Sequence, residues 1–253
     1  MAVAIGLERP VRENHSPLLT TVFERALSQS FVAFQPIVSY ADRRVFGFEA
    51  LVRSNAGLLS GAAELVGAAE SLGSLSSLGR TVRGAVARAV PDAPPDSLLF
   101  VNVHADELLD PDLVSPDAPL SRVASRVVLE ITERAAVERG PELRERLAML
   151  RWLGFRVAVD DLGSGFSSLD LLADIRPDFV KVDMSLVRRL DGDETRRRIV
   201  GHLLALLRDL GTPAVAEGVE TPGERDALLA LGTPLLQGFL FGLPGPRLVA
   251  PTW

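Results

Sequence analysis

Eight short apolar runs, most of them separated by segments of helical pattern, constrain this chain more than any other feature. They are FVAFQPIV (31–38), VFGFEALV (45–52), LLFVNV (98–103), RVVLEIT (126–132), FRVAVD (155–160), DFVKVD (178–183), PAVAEG (213–218) and LLQGFLF (235–241). Each has the length and the β-branched or aromatic content of a strand. Intervening segments such as ELRERLAMLRWLG (142–154) and RRRIVGHLLALLRDLG (196–211) end in glycine, where a helix C-cap is expected. Alternation of this kind builds parallel β/α units, and eight of them in about 250 residues make a (β/α)8 barrel. The first link differs. Only SYADRR (39–44) joins the first two runs, whereas a parallel crossover needs a dozen or more residues. The predicted fold is therefore α/β, a TIM-like barrel with its first strand antiparallel. Residues 1–16 read as a polar, proline-containing tail, and 17–253 as one domain opening with a helix in LLTTVFERALSQ. PDAPPDS and DPDLVSPDAP read as loops around the third strand.

A chain of 253 residues with 47% hydrophobic content can bury a large core. Its net charge of -6 gives no footprint for duplex nucleic acid, while a local cationic pocket for a small anion stays open. The lack of cysteine excludes disulfides, zinc-thiolate sites and thiol nucleophiles. No apolar stretch is long and unbroken enough to suggest a membrane span, and the first residues lack the pattern of a secretion signal. A cytoplasmic protein fits these features.

Each run carries a polar residue among apolar neighbours: Gln35, Glu49, Asn102, Glu130, Asp160, Lys181, Glu217 and Gln237. In the parallel strands most lie toward the C-terminal end, where barrels build their active sites. Helix caps and rim salt bridges are the ordinary explanation for acidic residues there. They do not account for Glu130 and Glu217 inside apolar runs, where a carboxylate is costly without a compensating partner. Oxygen ligands alone suit Mg²⁺ or Mn²⁺ and disfavour zinc. Adjacent Asp160 and Asp161 suggest two ions, with Asp160 on the barrel axis and Asp161 turned onto the following loop. Two such ions would activate a water and stabilise a leaving oxygen, which points to phosphodiester hydrolysis. Lys181 is the sole lysine among 27 basic residues. A position that keeps lysine where the chain otherwise uses arginine suggests a need for a compact ammonium that can give up a proton. By period two, Asp183 shares its face.

The set FEALVR (48–53), LEITE (129–133), DDLGSGFSSL (160–169), KVD (181–183), AEGVET (216–221) and QGFLFGLP (237–244) resembles the EAL-domain family, bacterial phosphodiesterases that open cyclic di-GMP to linear pGpG. The resemblance implies that Glu49, Asn102, Glu130 and Asp160 hold one Mg²⁺ or Mn²⁺, with Asp160, Asp161 and Glu217 about a second. It implies that Lys181 contacts the attacking water, as general base or electrostatic stabiliser. It makes Gln35, Leu51, Arg53, Asp183 and Gln237 substrate contacts, Arg53 being suited to a bidentate hold on phosphate. Glu133 and Glu220 are implied to control the loops, the first by steadying the segment after the two aspartates. A homodimer is also implied, and the absence of a recognisable sensory sequence leaves input to a separate sensor or regulatory protein. The alternative is an inert EAL-like receptor or protein-interaction module.

Three departures bear on activity. Leu162 stands where the family carries phenylalanine. The segment SNAGLLSGAAELVGAAESLG (54–73) is shorter than usual, which puts contacts to one guanine base in question. His104, two residues beyond Asn102, is a candidate either for the site mouth or for packing.

Overall fold

The computed structural model describes residues 17–164 and 170–253, with backbone alone for 109, 133–141 and 170. Eight strands close a barrel in sequence order: β1 (Ser30–Ser39), β2 (Arg44–Ser54), β3 (Leu98–Asn102), β4 (Val127–Thr132), β5 (Arg156–Leu162), β6 (Phe179–Val182), β7 (Ala214–Ala216) and β8 (Leu235–Gln237). β1 runs antiparallel to both β2 and β8, while the other neighbours are parallel. The short first link thus has the predicted effect.

Helix α1 (Pro17–Ser28) precedes the barrel. α2 (Ala62–Ser71) and α3 (Leu75–Ala89) follow β2, and α4 (Glu133–Trp152) follows β4. α5 (Asp170–Ile175) follows β5, α6 (Met184–Val187) and α7 (Glu194–Asp209) follow β6, and α8 (Pro222–Ala230) follows β7. The link from β3 to β4 has only 3-10 turns, at Ala105–Leu109 and Ser121–Arg126, in agreement with its proline-rich sequence. Glycines 154 and 211 close α4 and α7 with φ of 100° and 70°, the left-handed geometry that a C-cap requires.

The barrel interior is built in two layers. The lower is an apolar plug of Ile37, Phe100, Val128, Ala158, Phe179, Val215 and Leu235. The rings of Phe46, Phe100 and Phe179 stack against one another with centroids 5.6–6.3 Å apart. Successive side chains on a strand alternate faces, so the residue two positions further lies directly above. Two positions above Phe100, Val128, Ala158, Phe179, Val215 and Leu235 stand Asn102, Glu130, Asp160, Lys181, Glu217 and Gln237. On antiparallel β1 the same step runs backward from Ile37 to Gln35, which pairs with Glu49 on β2.

No helix follows β1 in the chain, and α3 packs near its outer side. The segment after β8 returns along it, bridging Gly245 to Phe34 and setting the last residue, Trp253, 6.2 Å from the Tyr40 ring. β8 is shorter than LLQGFLF predicts. It stops at Gln237 because Gly238 packs against the Val219 backbone, where any Cβ would come within 2.1 Å of the carbonyl oxygen. Phe239 and Leu240 then enter a turn closed by the Phe241 N–H donating to the Gly238 carbonyl.

Phe100 is fully buried in the plug directly beneath the polar layer. Phe100→Ala is expected to lower the unfolding free energy by about 3–5 kcal/mol, read by denaturant titration.

Candidate metal centre

Sequence alternation alone would send Asp160 and Asp161 to opposite faces of β5. The structure resolves this through the backbone: Asp161 has a φ of 61°, and the pairing of β5 with β6 shifts register between Val159 and Leu162. Asparagine and aspartate tolerate this left-handed conformation better than other non-glycine residues. The bulge turns both aspartates to one centre, where ligand oxygens of Asp160, Asp161 and Glu217 lie within 4.8 Å of one another.

Lys181 stands in the middle of the polar layer with 1% exposure. Its Nζ is 2.6 Å from Glu217, 2.8 Å from Glu130, 3.2 Å from Asp160 and 3.4 Å from Glu49. An ammonium has three protons to donate, so it cannot serve four carboxylates fully. Glu130 Oε1 and Asp160 Oδ1 are buried without a well-directed hydrogen bond, although both contact Lys181. Glu49 is better supplied, accepting from Gln237 Nε2 at 2.5 Å and Asn102 Nδ2 at 3.1 Å.

The protonation energetics follow this inequality. Burial alone would push Lys181 down, but Asp160, Glu130, Glu217 and Glu49 together hold it well above its ordinary value. Burial raises Glu130 well above the carboxylate range, with Lys181 opposing and the Glu49 and Asp160 charges adding to the rise. Glu217 is pushed up to about 8, first by burial, with Lys181 opposing and Asp160 and Glu49 reinforcing it. Glu49 is held below its ordinary value because Lys181 and the Gln237 and Asn102 hydrogen bonds overcome its burial. Burial and the neighbouring charges of Asp160 and Asp183 raise Asp161 to about 6. An oxygen-rich centre with more carboxylates than its internal cation can neutralise fits a hard divalent cation.

Asn102 presents its amide N–H₂ to Glu49 and Glu130, at 3.1 and 2.9 Å. A ligand role needs its oxygen on that side, which a half-turn of the amide supplies. Gln35 and Gln237 are joined by a 3.1 Å hydrogen bond beside Glu49. Leu51 and Arg53 follow Glu49 on the same face of β2, and Arg53 Nη1 donates to its neighbour's carbonyl, that of Val52, at 2.8 Å. Asp183 lies just past the end of β6, where it caps α6 by accepting the Ser185 N–H at 2.9 Å. Glu220 is exposed and paired with Arg188. The Glu133 side chain, and Gly165 to Leu169 of the loop after the aspartates, lie outside the described residues.

A pocket of about 440 Å³ opens beside Asn102 and Asp161, lined by Leu51, Val66, Leu78 and His104 among others. His104 is at its rim, with Nε2 3.0 Å from Glu70 Oε1. Behind it, Arg83 is buried against Glu107 and Asp110, and Arg80 adds a second guanidinium to Asp110 at 2.6 Å. Hydrogen bonding to Arg80 is the largest influence holding Asp110 down at about 2. This cluster was not anticipated from sequence. Its members come together from α3 and the turn after β3, and no local spacing announces them.

Fold and site together define a TIM-type barrel whose carboxyl-end mouth carries an acidic cluster able to hold metal. The chain belongs to the EAL-domain family, whose profile matches residues 22–244. It is 31% identical over 256 residues to the probable cyclic di-GMP phosphodiesterase PdeG of Escherichia coli, covering 96% of this chain and 50% of PdeG. Among solved structures it resembles BlrP1 of Klebsiella pneumoniae in a manganese and cyclic di-GMP complex, with 31% identity, a TM-score of 0.77 and coverage of 88% and 57% of the two chains. A standalone versatile EAL protein of Vibrio cholerae bound to c-di-GMP matches with 32% identity and a TM-score of 0.77, over 88% and 95% of the two chains. The chain spans 29–50% of the length of the first curated relatives it matches. Among the described residues no helix is long and apolar enough to cross a membrane.

The raised carboxyl groups invert the usual pH dependence of acidic residues. Glu217 titrates near 8 in the folded chain against an ordinary value of 4.5, so the unfolded chain binds fewer protons between those limits. Its contribution is fully present below about 4.5 and is lost as pH rises toward 8; Asp161 acts in the same sense up to about 6. In EDTA the melting temperature should fall from pH 5 to 8.5, less steeply in Glu217→Gln. Thermal unfolding across that range checks both slopes.

Proposed function

We propose that this chain is a metal-dependent phosphodiesterase that opens cyclic di-GMP to linear pGpG. The carrying observation is the excess of buried carboxylate around Lys181, a centre that calls for divalent charge. Glu49, Asn102, Glu130 and Asp160 would hold one Mg²⁺ or Mn²⁺, and Asp160, Asp161 and Glu217 the second. The ions when bound supply an acidified water and charge neutralisation at the leaving oxygen.

The chain's own groups do the rest. Arg53 would turn from its backbone carbonyl to a phosphate of the substrate. Gln35 and Gln237, already paired, would present amide groups to the ligand from the β1 and β8 side. Leu51 and the apolar pocket beside it give one base a surface to pack on, formed by α2 and α3 despite the short segment after Arg53. Asp183 would meet the substrate from its capping position. Lys181 is the ring's cation and can donate to a water held among its carboxylates. In the hydrolysis the water oxygen joins phosphorus, the P–O3′ bond breaks and the O3′ atom ends protonated. Glu133 and Glu220 are assigned to control of the adjoining loops. The reading includes a cytoplasmic homodimer over 17–253, with a separate sensor or regulatory protein supplying input.

The decisive assay follows pGpG release by chromatography with Mg²⁺, with Mn²⁺ and with EDTA. Conversion is expected with either metal and not with EDTA. Glu49→Ala and Lys181→Arg should each lower kcat/KM by about 10²-fold or more. Cyclic di-GMP binding without turnover, seen by calorimetry, would replace the enzyme with a receptor. Neither binding nor turnover would overturn both.

A further inference from the structure

We infer that Glu224 is a positioning residue that ties the loop carrying Glu217 to the segment that follows the Lys181 strand; this rests on the metal-centre reading above. Glu224 begins as a local feature. Thr221 and Glu224 form a capping box at the start of α8: Thr221 Oγ1 accepts the Glu224 N–H at 3.2 Å, and Glu224 Oε2 accepts the Thr221 N–H at 3.2 Å. A cap of this kind is satisfied by one carboxylate oxygen.

The second oxygen leaves the helix altogether. Glu224 Oε1 accepts the Arg189 N–H at 3.3 Å, at the end of the loop that follows Lys181 and α6. Arg189 has a φ of 61°, so the backbone turns there to present its N–H. Glu224 Oε2 also takes the Glu220 N–H at 3.0 Å, three residues beyond Glu217. Arg188 closes the junction from the same loop by pairing with Glu220 and reaching to 3.8 Å from Glu224.

The two loops also pack directly. Gly218, next to Glu217, has a φ of 66°, and a Cβ there would fall 2.4 Å from the Met184 Cβ in α6. The Glu217 N–H donates to the Val182 carbonyl at 3.0 Å. Glu224 is only 4% exposed. Burial alone would raise its pKa, but the Glu220, Arg189 and Thr221 N–H groups and the Arg188 charge hold it below its ordinary value. The carboxylate thus stays ionised and bonded across both loops. Its effect is to hold the loop that carries Glu217 in one place relative to the strand that carries Lys181, in addition to the direct contacts at Val182 and Met184.

The test separates this junction from the helix cap. Glu224→Gln retains one acceptor oxygen for α8 but sets an amide N–H₂ against the Arg189 N–H. Glu224→Asp, too short to span both loops, serves if the glutamine variant folds poorly. Thr221→Ala weakens only the cap and should lower the melting temperature by about 2–4 °C. Mn²⁺ binding is measured by calorimetry for wild type, Glu49→Ala, Glu224→Gln and Thr221→Ala, with thermal unfolding in parallel.

The expected result is Mn²⁺ binding weakened about tenfold in Glu224→Gln, the lower end of what partners of metal ligands contribute. Thr221→Ala should bind as wild type despite a comparable loss of stability. Equal Mn²⁺ affinity in Glu224→Gln and wild type, or equal weakening in both cap variants, overturns the positioning role while the metal centre stands. If wild type does not bind Mn²⁺, or Glu49→Ala binds it equally well, the metal reading falls and this inference with it.

Discussion

One ammonium facing four carboxylates governs the upper half of this barrel. Lys181, 1% exposed, is enclosed by Glu49, Glu130, Asp160 and Glu217. Its three protons cannot satisfy them all, and its single charge cannot balance them when all are ionised. Burial, reinforced by the neighbouring carboxylate charges, displaces Glu130 and Glu217 upward, and protons on these two relieve the excess. A divalent cation bound here would relieve it differently, by replacing those protons, and its binding would then release protons. Removing Lys181 would leave the carboxylates without their internal counter-charge, which gives the lysine a structural role beside the one proposed for it.

The layered interior was legible because period two is written into each strand. An apolar residue followed two positions later by a polar one appears in six of the strands, as Phe100 and Asn102 or Phe179 and Lys181 show. The antiparallel first strand was equally readable from a link too short to cross over. Other features were not. The bulge that brings Asp161 into the centre is a backbone choice at one residue, and aspartate permits it without demanding it. β8 ends at Gln237 because of an approach between Gly238 and Val219, a contact between separate segments. The buried Arg83, Glu107 and Asp110 cluster likewise joins residues with no fixed spacing. Glu224 is an intermediate case. Its capping-box spacing is local but went unread, and its second oxygen's reach to Arg189 has no local signature at all.

The short segment after β2 takes on a different meaning in three dimensions. From sequence its reduced length counts against a base-binding surface. In the fold, α2 and α3 still wall an apolar pocket that meets Asn102 and Asp161. The apolar faces of both helices are buried, as Leu65, Ala69 and Leu78 in their shared cluster with Phe23 of α1 show. Helix position depends on such buried contacts more than on how much chain joins the elements.

Repulsion among the carboxylates has a mechanical consequence for the loops above them. Like charges converging from β2, β4, β5 and the end of β7 drive the strand ends apart unless the backbone resists. The plug anchors the strands from below but cannot restrain loops beyond their last paired residues. Four of these loops have a restraint of their own. After β3, Glu107 accepts the His104 N–H while its other oxygen meets Arg83. At β5 the left-handed Asp161 is followed by the Ser164 N–H returning to its carbonyl. After β6 and β7 one carboxylate, Glu224, serves both loops. These devices use charge themselves, but they place it against backbone N–H groups and guanidinium, where it is satisfied. The unsatisfied charge is thereby confined to the barrel axis, around Lys181.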